Sequence, residues 1–208
     1  MDERMMENNK VTVAGEVVSQ FRFSHGVFGE GFYIFDLVVT RLSGTVDTLP
    51  VMVSDRLVDV TQDCRGCLVE VVGQLRTYNQ NDGEKRRLKL NIFAFELYLV
   101  EGTIDPKESN EICLNGYICK EPINRKTPLG RDVTDLLLAV NRPYGKSDYI
   151  PCLAWGRNAV YAAGLSVGNR ISVLGRVQSR GYTKKLSDTE IEERVAYEVS
   201  VHTLEVAG

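Results

Sequence analysis

Apolar and polar residues alternate with a period of two along most of the chain, the pattern of half-buried strands. In the second half Ile112, Leu114 and Ile118 share one parity, and Val133 to Val140 forms a longer, more uniformly apolar run. A third run spans Tyr149 to Trp155 and contains Pro151, which has no N–H for a ladder and so marks an edge or a bulge. Strands four and five are expected over Arg170 to Ser179 and Arg194 to Val206. Between strands three and four, Arg157 to Leu165 is rich in Ala and closed by Gly164, which predicts a short helix.

The first half repeats this text. Val11 matches Ile112, Gly15 matches Gly116, Thr40-Arg41 matches Asn141-Arg142, and Asp47 to Pro50 matches Asp148 to Pro151, all at an offset of 101. Gly66/Gly168 and Gly73/Gly175 keep the pairing at 102, and Phe95-Glu96-Leu97 is matched with Leu204-Glu205-Val206 at 109. A tandem duplication of one unit of about a hundred residues follows. Asp55 to Gln62 falls in the helix slot of the first half. The order strand, strand, strand, helix, strand, strand is that of an oligonucleotide-binding (OB) Greek-key barrel, so the expected fold is all-β: two tandem five-stranded barrels, each with one short helix. Glu101 to Asn110, with Gly102, Pro106 and four charges, is the expected joint, dividing the chain into residues 1–105 and 106–208.

Composition narrows the class. The 208 residues are 43% hydrophobic and 25% charged, enough for two small cores and too polar for a membrane span. Met1 to Asn9 is acidic and polar, with no apolar stretch behind a basic one; no secretory signal is expected and the cytoplasm is the expected location. Five cysteines, an odd number, fit reduced thiols.

The second half carries Thr127-Pro128-Leu129-Gly130-Arg131, Leu138-Ala139-Val140-Asn141-Arg142, Trp155-Gly156-Arg157-Asn158-Ala159 and Gly175-Arg176-Val177-Gln178-Ser179-Arg180. In this order they resemble the bacterial single-stranded DNA-binding protein family. Asn9-Lys10-Val11 and Gly73-Gln74-Leu75-Arg76-Thr77 resemble the same family's first and fourth strands, so the resemblance covers both halves. It implies a barrel that stacks successive bases on aromatic rings while basic groups follow the phosphates. The matching aromatic positions are Tyr144, Tyr149, Trp155 and Tyr182.

Residue chemistry points the same way. Tyr149 and Trp155 have equal parity on one strand, so both rings leave the same face, where an unpaired base can lie flat on them. Lys126, Arg131, Arg142, Arg157, Arg176, Arg180 and Lys184 are the expected phosphate contacts, with Arg125, Lys146 and Lys185 beside them. Single-stranded DNA is therefore the expected partner, bound without base-edge readout. The family's four-barrel assemblies imply a homodimer of this two-barrel chain.

The halves differ. Thr48 stands where the second half has Tyr149, Val53 or Ser54 near the place of Trp155, and Gln80 in the place of Tyr182. Residues 1–109 carry 12 Lys and Arg against 17 Asp and Glu, and 110–208 carry 13 against 11. An acidic surface repels phosphate, so the first domain is expected to bind DNA weakly and to serve assembly. Phe21, Phe23, Phe28, Phe32, Tyr33 and Tyr78 are expected mostly in the core. The chain stops at Val206-Ala207-Gly208, directly after its last strand, so recruitment of repair enzymes through an acidic tail is not expected.

Other chemistry has little support. Cys64 and Cys67 have the spacing of half a zinc site, but Cys113 and Cys119 on one strand sit about 20 Å apart and complete it poorly, so no cofactor or metal is expected. His25 and His202 lie in different halves with no nucleophile set beside them, and the pair Asp132 and Asp135 suits capping or solvation better than metal-assisted cleavage. The expectation is a binding protein and no enzyme. The rival readings are a protein-interaction module with reduced DNA binding, and a primosome-type accessory barrel.

Overall fold

The computed structural model describes residues 8–82, 85–185 and 191–206, and side chains for all of these except 79–82 and 85–87. The first half forms β1 (Asn9–Val17), β2 (Arg22–Val27), β3 (Glu30–Thr40), β4 (Val46–Ser54), β5 (Leu68–Asp82) and β6 (Lys85–Leu99). The second forms β7 (Asn110–Ile118), β8 (Ile123–Lys126), β9 (Asp132–Asn141), β10 (Ser147–Trp155), β11 (Arg170–Lys185) and β12 (Ile191–Val206), with α1 (Arg157–Ala163) after β10. Five strands of each half build the expected barrel. The sixth, β2 or β8, is a short, solvent-exposed strand at the sheet edge. Met1 to Glu7 of the acidic start, and Ala207 and Gly208, lie outside the described residues.

Alternation turns one parity of each strand inward. Val11, Phe35, Leu37, Leu49, Val51 and Ile92 fill the first core; Ile112, Leu138, Ile150, Ile171 and Val199 fill the second. Each barrel closes twice. In the first, β1 meets β3 at Val17 and Leu37, and β4 meets β6 in parallel at Val51–Ile92 and Met52–Phe93. In the second, β7 meets β9 at Ile118 and Leu138, and β10 meets β12 in parallel at Cys152–Val199 and Leu153–Ser200. Pro50 and Pro151 stand one residue ahead of those short parallel contacts, where no N–H is required.

The repeated glycines have a steric cause. The ladders β5–β6 and β11–β12 shift register at Gly73 and Gly175. A Cβ there would lie 2.1 Å from the Phe93 carbonyl oxygen and 2.3 Å from that of Ser200, closer than atoms can approach.

Two expectations are corrected. Asp55 to Gln62 is a succession of turns and no helix. The Asp59 carboxylate accepts hydrogen bonds from the Thr61 N–H and hydroxyl and from Gln62, a local closure that competes with helix, whereas Ala159 and Ala162 let α1 pack flush on its barrel. The last strands match at 107 and not at 109: Val71 faces Leu97 and the equivalent Val173 faces Leu204.

The two barrels share one twelve-stranded sheet, because β1 pairs with β7 antiparallel. Val11 faces Ile112, its own repeat equivalent, so a pseudo-two-fold axis passes between them. Asn9 and Asn110 act identically on either side: each carboxamide exchanges two hydrogen bonds with the backbone of its own barrel, at Leu75 and at Val177.

The same pseudo-symmetry builds two ionic clasps. Arg41 holds Asp47, whose carboxylate also accepts from the Ser179 N–H and hydroxyl in the other barrel. Arg142 holds Asp148, which accepts from the Thr77 N–H and hydroxyl and from Arg76 in the first barrel. Both aspartates are fully buried.

Candidate nucleic-acid interface

On β10 the inward parity is Asp148, Ile150, Cys152 and Ala154, which leaves Tyr149 and Trp155 on the outer face at 47% and 38% exposure. Six residues of strand separate them by about 20 Å, room for several bases between the rings. Trp155 is held opposite Val133 on β9, and the chain then turns at Gly156 (φ 56°) into α1, whose first residue is Arg157. Tyr182 lies on the long β11–β12 hairpin, with the Arg180 guanidinium 5.9 Å above its ring. Tyr144 occupies the β9–β10 connection at 99% exposure and in a left-handed conformation (φ 63°). A non-glycine residue held there is strained, which is a mark of functional positions.

The basic residues divide into two groups. Lys126, Arg131, Arg157 and Lys184 are exposed, and Arg180, half exposed, is only loosely paired with Glu198 at 3.5 Å. Arg142 and Arg176 are differently placed. Arg142 is committed to Asp148 and to the Thr77 carbonyl, so it joins the barrels. Arg176 is part-buried, its pKa lowered first by burial and then by the nearby Arg41. Arg125 pairs with Asp135.

The first barrel presents a different set. Thr48 and Ser54 hold the positions equivalent to Tyr149 and Trp155, and the side chain of Gln80 lies outside the described residues. Yet that barrel is not poor in surface rings. His25 stacks on Phe32 with centroids 5.0 Å apart, Phe32 lies 5.8 Å from Phe93, and Phe93 lies 5.6 Å from Phe95. The expectation that most first-half aromatics are core is corrected. Phe21 and Tyr33 pack against the core, Phe32 is half-buried in this stripe, Phe23 and Tyr78 are exposed, and Phe28 projects fully into solvent from the β2–β3 turn. The sequence signal for the stripe was the equal parity of Phe93 and Phe95; what hid it was the pairing that places them beside β3 and β4.

The carboxylate and thiol sets do not assemble. Asp135 is taken by Arg125, and among the described residues no three His, Cys, Asp or Glu side chains converge as metal ligands. The Cys64, Cys113 and Cys119 thiols are pushed up in pKa, chiefly by burial.

Two OB barrels fused about a pseudo-dyad, one bearing a strand of outward aromatics with cations around it, define a tandem oligonucleotide-binding-fold protein. Residues 109–207 match the model of the Single-strand binding protein family. That match lies in the second barrel. It is 37% identical over 83 residues to the single-stranded DNA-binding protein of Clostridium tetani, covering 36% of this chain and 57% of that one. It is 38% identical over 93 residues to single-stranded DNA-binding protein 3 of Listeria innocua, covering 39% and 58%. The chain thus spans just over half the length of these two relatives. The crystal structure of the wild-type single-stranded DNA binding protein from Thermus aquaticus superposes with a TM-score of 0.76 at 23% identity, covering 96% of this chain and 93% of that one. That likeness extends the fold over both barrels.

Proposed function

We propose that this protein coats single-stranded DNA with little sequence preference, in replication, recombination or repair. The observation that carries the reading is the shared outer face of Tyr149 and Trp155 on β10. Tyr182, Tyr144, Arg180, Arg157, Lys126, Arg131 and Lys184 extend this surface; Arg142 serves the barrel junction instead, and Arg176 is part-buried beside Arg41. Stacking uses the π-face that every base has, so binding tolerates sequence. The names of the relatives, single-stranded DNA-binding proteins, support this reading.

In this proposal the second barrel does most of the binding and the first contributes to assembly. A symmetric homodimer brings four barrels together. Its support is the outward face of the sheet across β6, β5, β1, β7 and β11, where Tyr98, Cys113, Tyr117 and Leu174 are exposed on one side. The place of action is the cytoplasm; among the described residues no helix is long and apolar enough to cross a membrane.

The test is a titration with oligo-dT, followed by the emission of Trp155, the chain's single tryptophan. Saturating oligo-dT is expected to quench it, and duplex of matched length to leave it unchanged. Unaltered emission with no complex by light scattering ends the DNA reading. A monomer at high micromolar concentration in the same scattering measurement ends the dimer.

A further inference from the structure

Cys64-Arg65-Gly66-Cys67, which the DNA surface does not use, closes one tight turn ahead of β5. The Cys67 N–H donates to the Cys64 carbonyl at 3.0 Å, and Gly66 stands at the third place in a left-handed conformation (φ 83°). Two further bonds fix the turn to the end of β1, from the Gly66 N–H to the Val17 carbonyl and from the Val17 N–H to the Cys67 carbonyl. The two ends of such a turn lie within about 7 Å, Cα to Cα, and a disulfide spans about 4.4–6.8 Å. Both thiols pack against the first core while Arg65 and Gly66 between them are exposed, so the two side chains leave the turn on one side.

The second barrel repeats this turn with different chemistry. Ser166 and Asn169 hold the equivalent ends and Gly168 (φ 92°) the third place; the Asn169 and Gly168 N–H groups donate to the Ser166 and Ile118 carbonyls as their counterparts do. There the Asn169 side chain reaches back across the turn, its Oδ1 accepting from the Ser166 N–H at 2.9 Å. A side chain in the place of Cys67 can thus meet the residue in the place of Cys64. The second barrel ties its turn with a hydrogen bond, and the first carries two thiols in the same two places.

We infer that Cys64 and Cys67 are a dithiol that closes to a disulfide within the native turn, by exchange with a low-molecular-weight disulfide such as oxidised glutathione. One cysteine thiolate attacks a sulfur of the oxidant, forming a mixed disulfide and expelling one glutathione thiolate. The other cysteine thiolate then attacks the protein-side sulfur of that bond and expels the second. Two cysteine thiols are oxidised, one glutathione disulfide is reduced to two thiols, and these take up the two protons that the cysteines gave up. Burial, and then the nearness of Cys67, Asp63 and Asp59, push the Cys64 thiol up in pKa. A scarce thiolate slows each step, yet it also leaves the reduced pair without the thiolate stabilisation that makes a dithiol strongly oxidising, so the closed form is favoured at equilibrium. The modification lies at the corner between β1 and β5 of the first barrel and is independent of the DNA-binding reading.

The experiment equilibrates the whole chain in buffers of increasing oxidised-to-reduced glutathione ratio, beside a peptide of residues 61–70 as the unstructured reference. Samples are quenched with acid, alkylated and read by mass spectrometry. The chain is expected to lose two hydrogens, to yield a linked Cys64–Cys67 fragment, and to close at a ratio about tenfold lower than the peptide, because its turn is already formed. Thermal melting of the oxidised and reduced chain is the second measurement. Closure is expected to raise the melting temperature by a few degrees. The double variant Cys64→Ser with Cys67→Asn, which places the second barrel's residues in the first barrel's turn, is expected to fold and not to respond to the oxidant. A pair that closes no more readily than the peptide, or that keeps glutathione on either cysteine, overturns the inference. So does a fall in melting temperature on closure, which shows that the native turn must open to admit the bond. Linkage at Cys113, Cys119 or Cys152 instead, with the double variant responding like wild type, assigns the oxidation elsewhere and overturns it too.

Discussion

Replacing Asp148 by Ala is expected to destabilise the protein by about 3–5 kcal/mol, the cost of breaking a buried ion pair from one side. Its carboxylate receives two arginines and two groups of Thr77, and its removal strands the guanidiniums of Arg76 and Arg142 in a part-buried junction. Asp47→Ala removes the symmetric clasp, which has one arginine and Ser179, and is expected to cost less. Urea unfolding measures both, with limited proteolysis across residues 100–109 to report loosening of the barrels. The assignment fails if Asp148→Ala shifts stability by no more than a surface substitution, within about 0.5 kcal/mol. Serine or threonine hydroxyls at position 77 or 179 are the smaller part of each clasp, because the backbone N–H of the same residue also donates.

The second large effect is on affinity. Trp155→Ala is expected to weaken binding of oligo-dT by about 1–3 kcal/mol, one stacked base, and Tyr149→Ala by a similar amount. Tyr149 borders the clasp through its N–H, which donates to the Thr77 hydroxyl, but its ring takes no part in that bond, so stability should hold in this variant. Salt separates stacking from charge. The logarithm of affinity should fall against that of salt with a slope of about −0.7 per phosphate contact, and charge reversal at Arg157 or Arg180 should flatten it while Trp155→Ala leaves it alone. The same reversal at Arg142 should instead lower stability, since its guanidinium is already occupied by Asp148. Equal slopes for wild type and both exposed reversals would reduce Arg157 and Arg180 to ordinary surface.

Period-two alternation, proline and glycine punctuation and the repeat offset were enough to specify two tandem OB barrels, because each is a local property of the chain. Gly73 and Gly175 are legible for the same reason: a strand that must pass a carbonyl oxygen at close range excludes any Cβ, and the residue itself records that. The parity of Tyr149 and Trp155 likewise gave their shared face without coordinates. A helix over Asp55 to Gln62 was not decidable from the repeat, since Asp59 closes on Thr61 and Gln62 through its own side chain. The roles of Arg142 and Asp148 were beyond sequence reading altogether. An arginine near an aspartate six residues on reads as a surface pair until β1 meets β7 and brings Thr77 and Arg76 against them. Only the tertiary structure also joined His25, Phe32, Phe93 and Phe95, which lie on three strands, into one stripe, and set Tyr144 across a cavity from it. Strand content follows from neighbours in the chain; burial of a charge, and the gathering of rings from distant strands, depend on which surfaces the fold presses together.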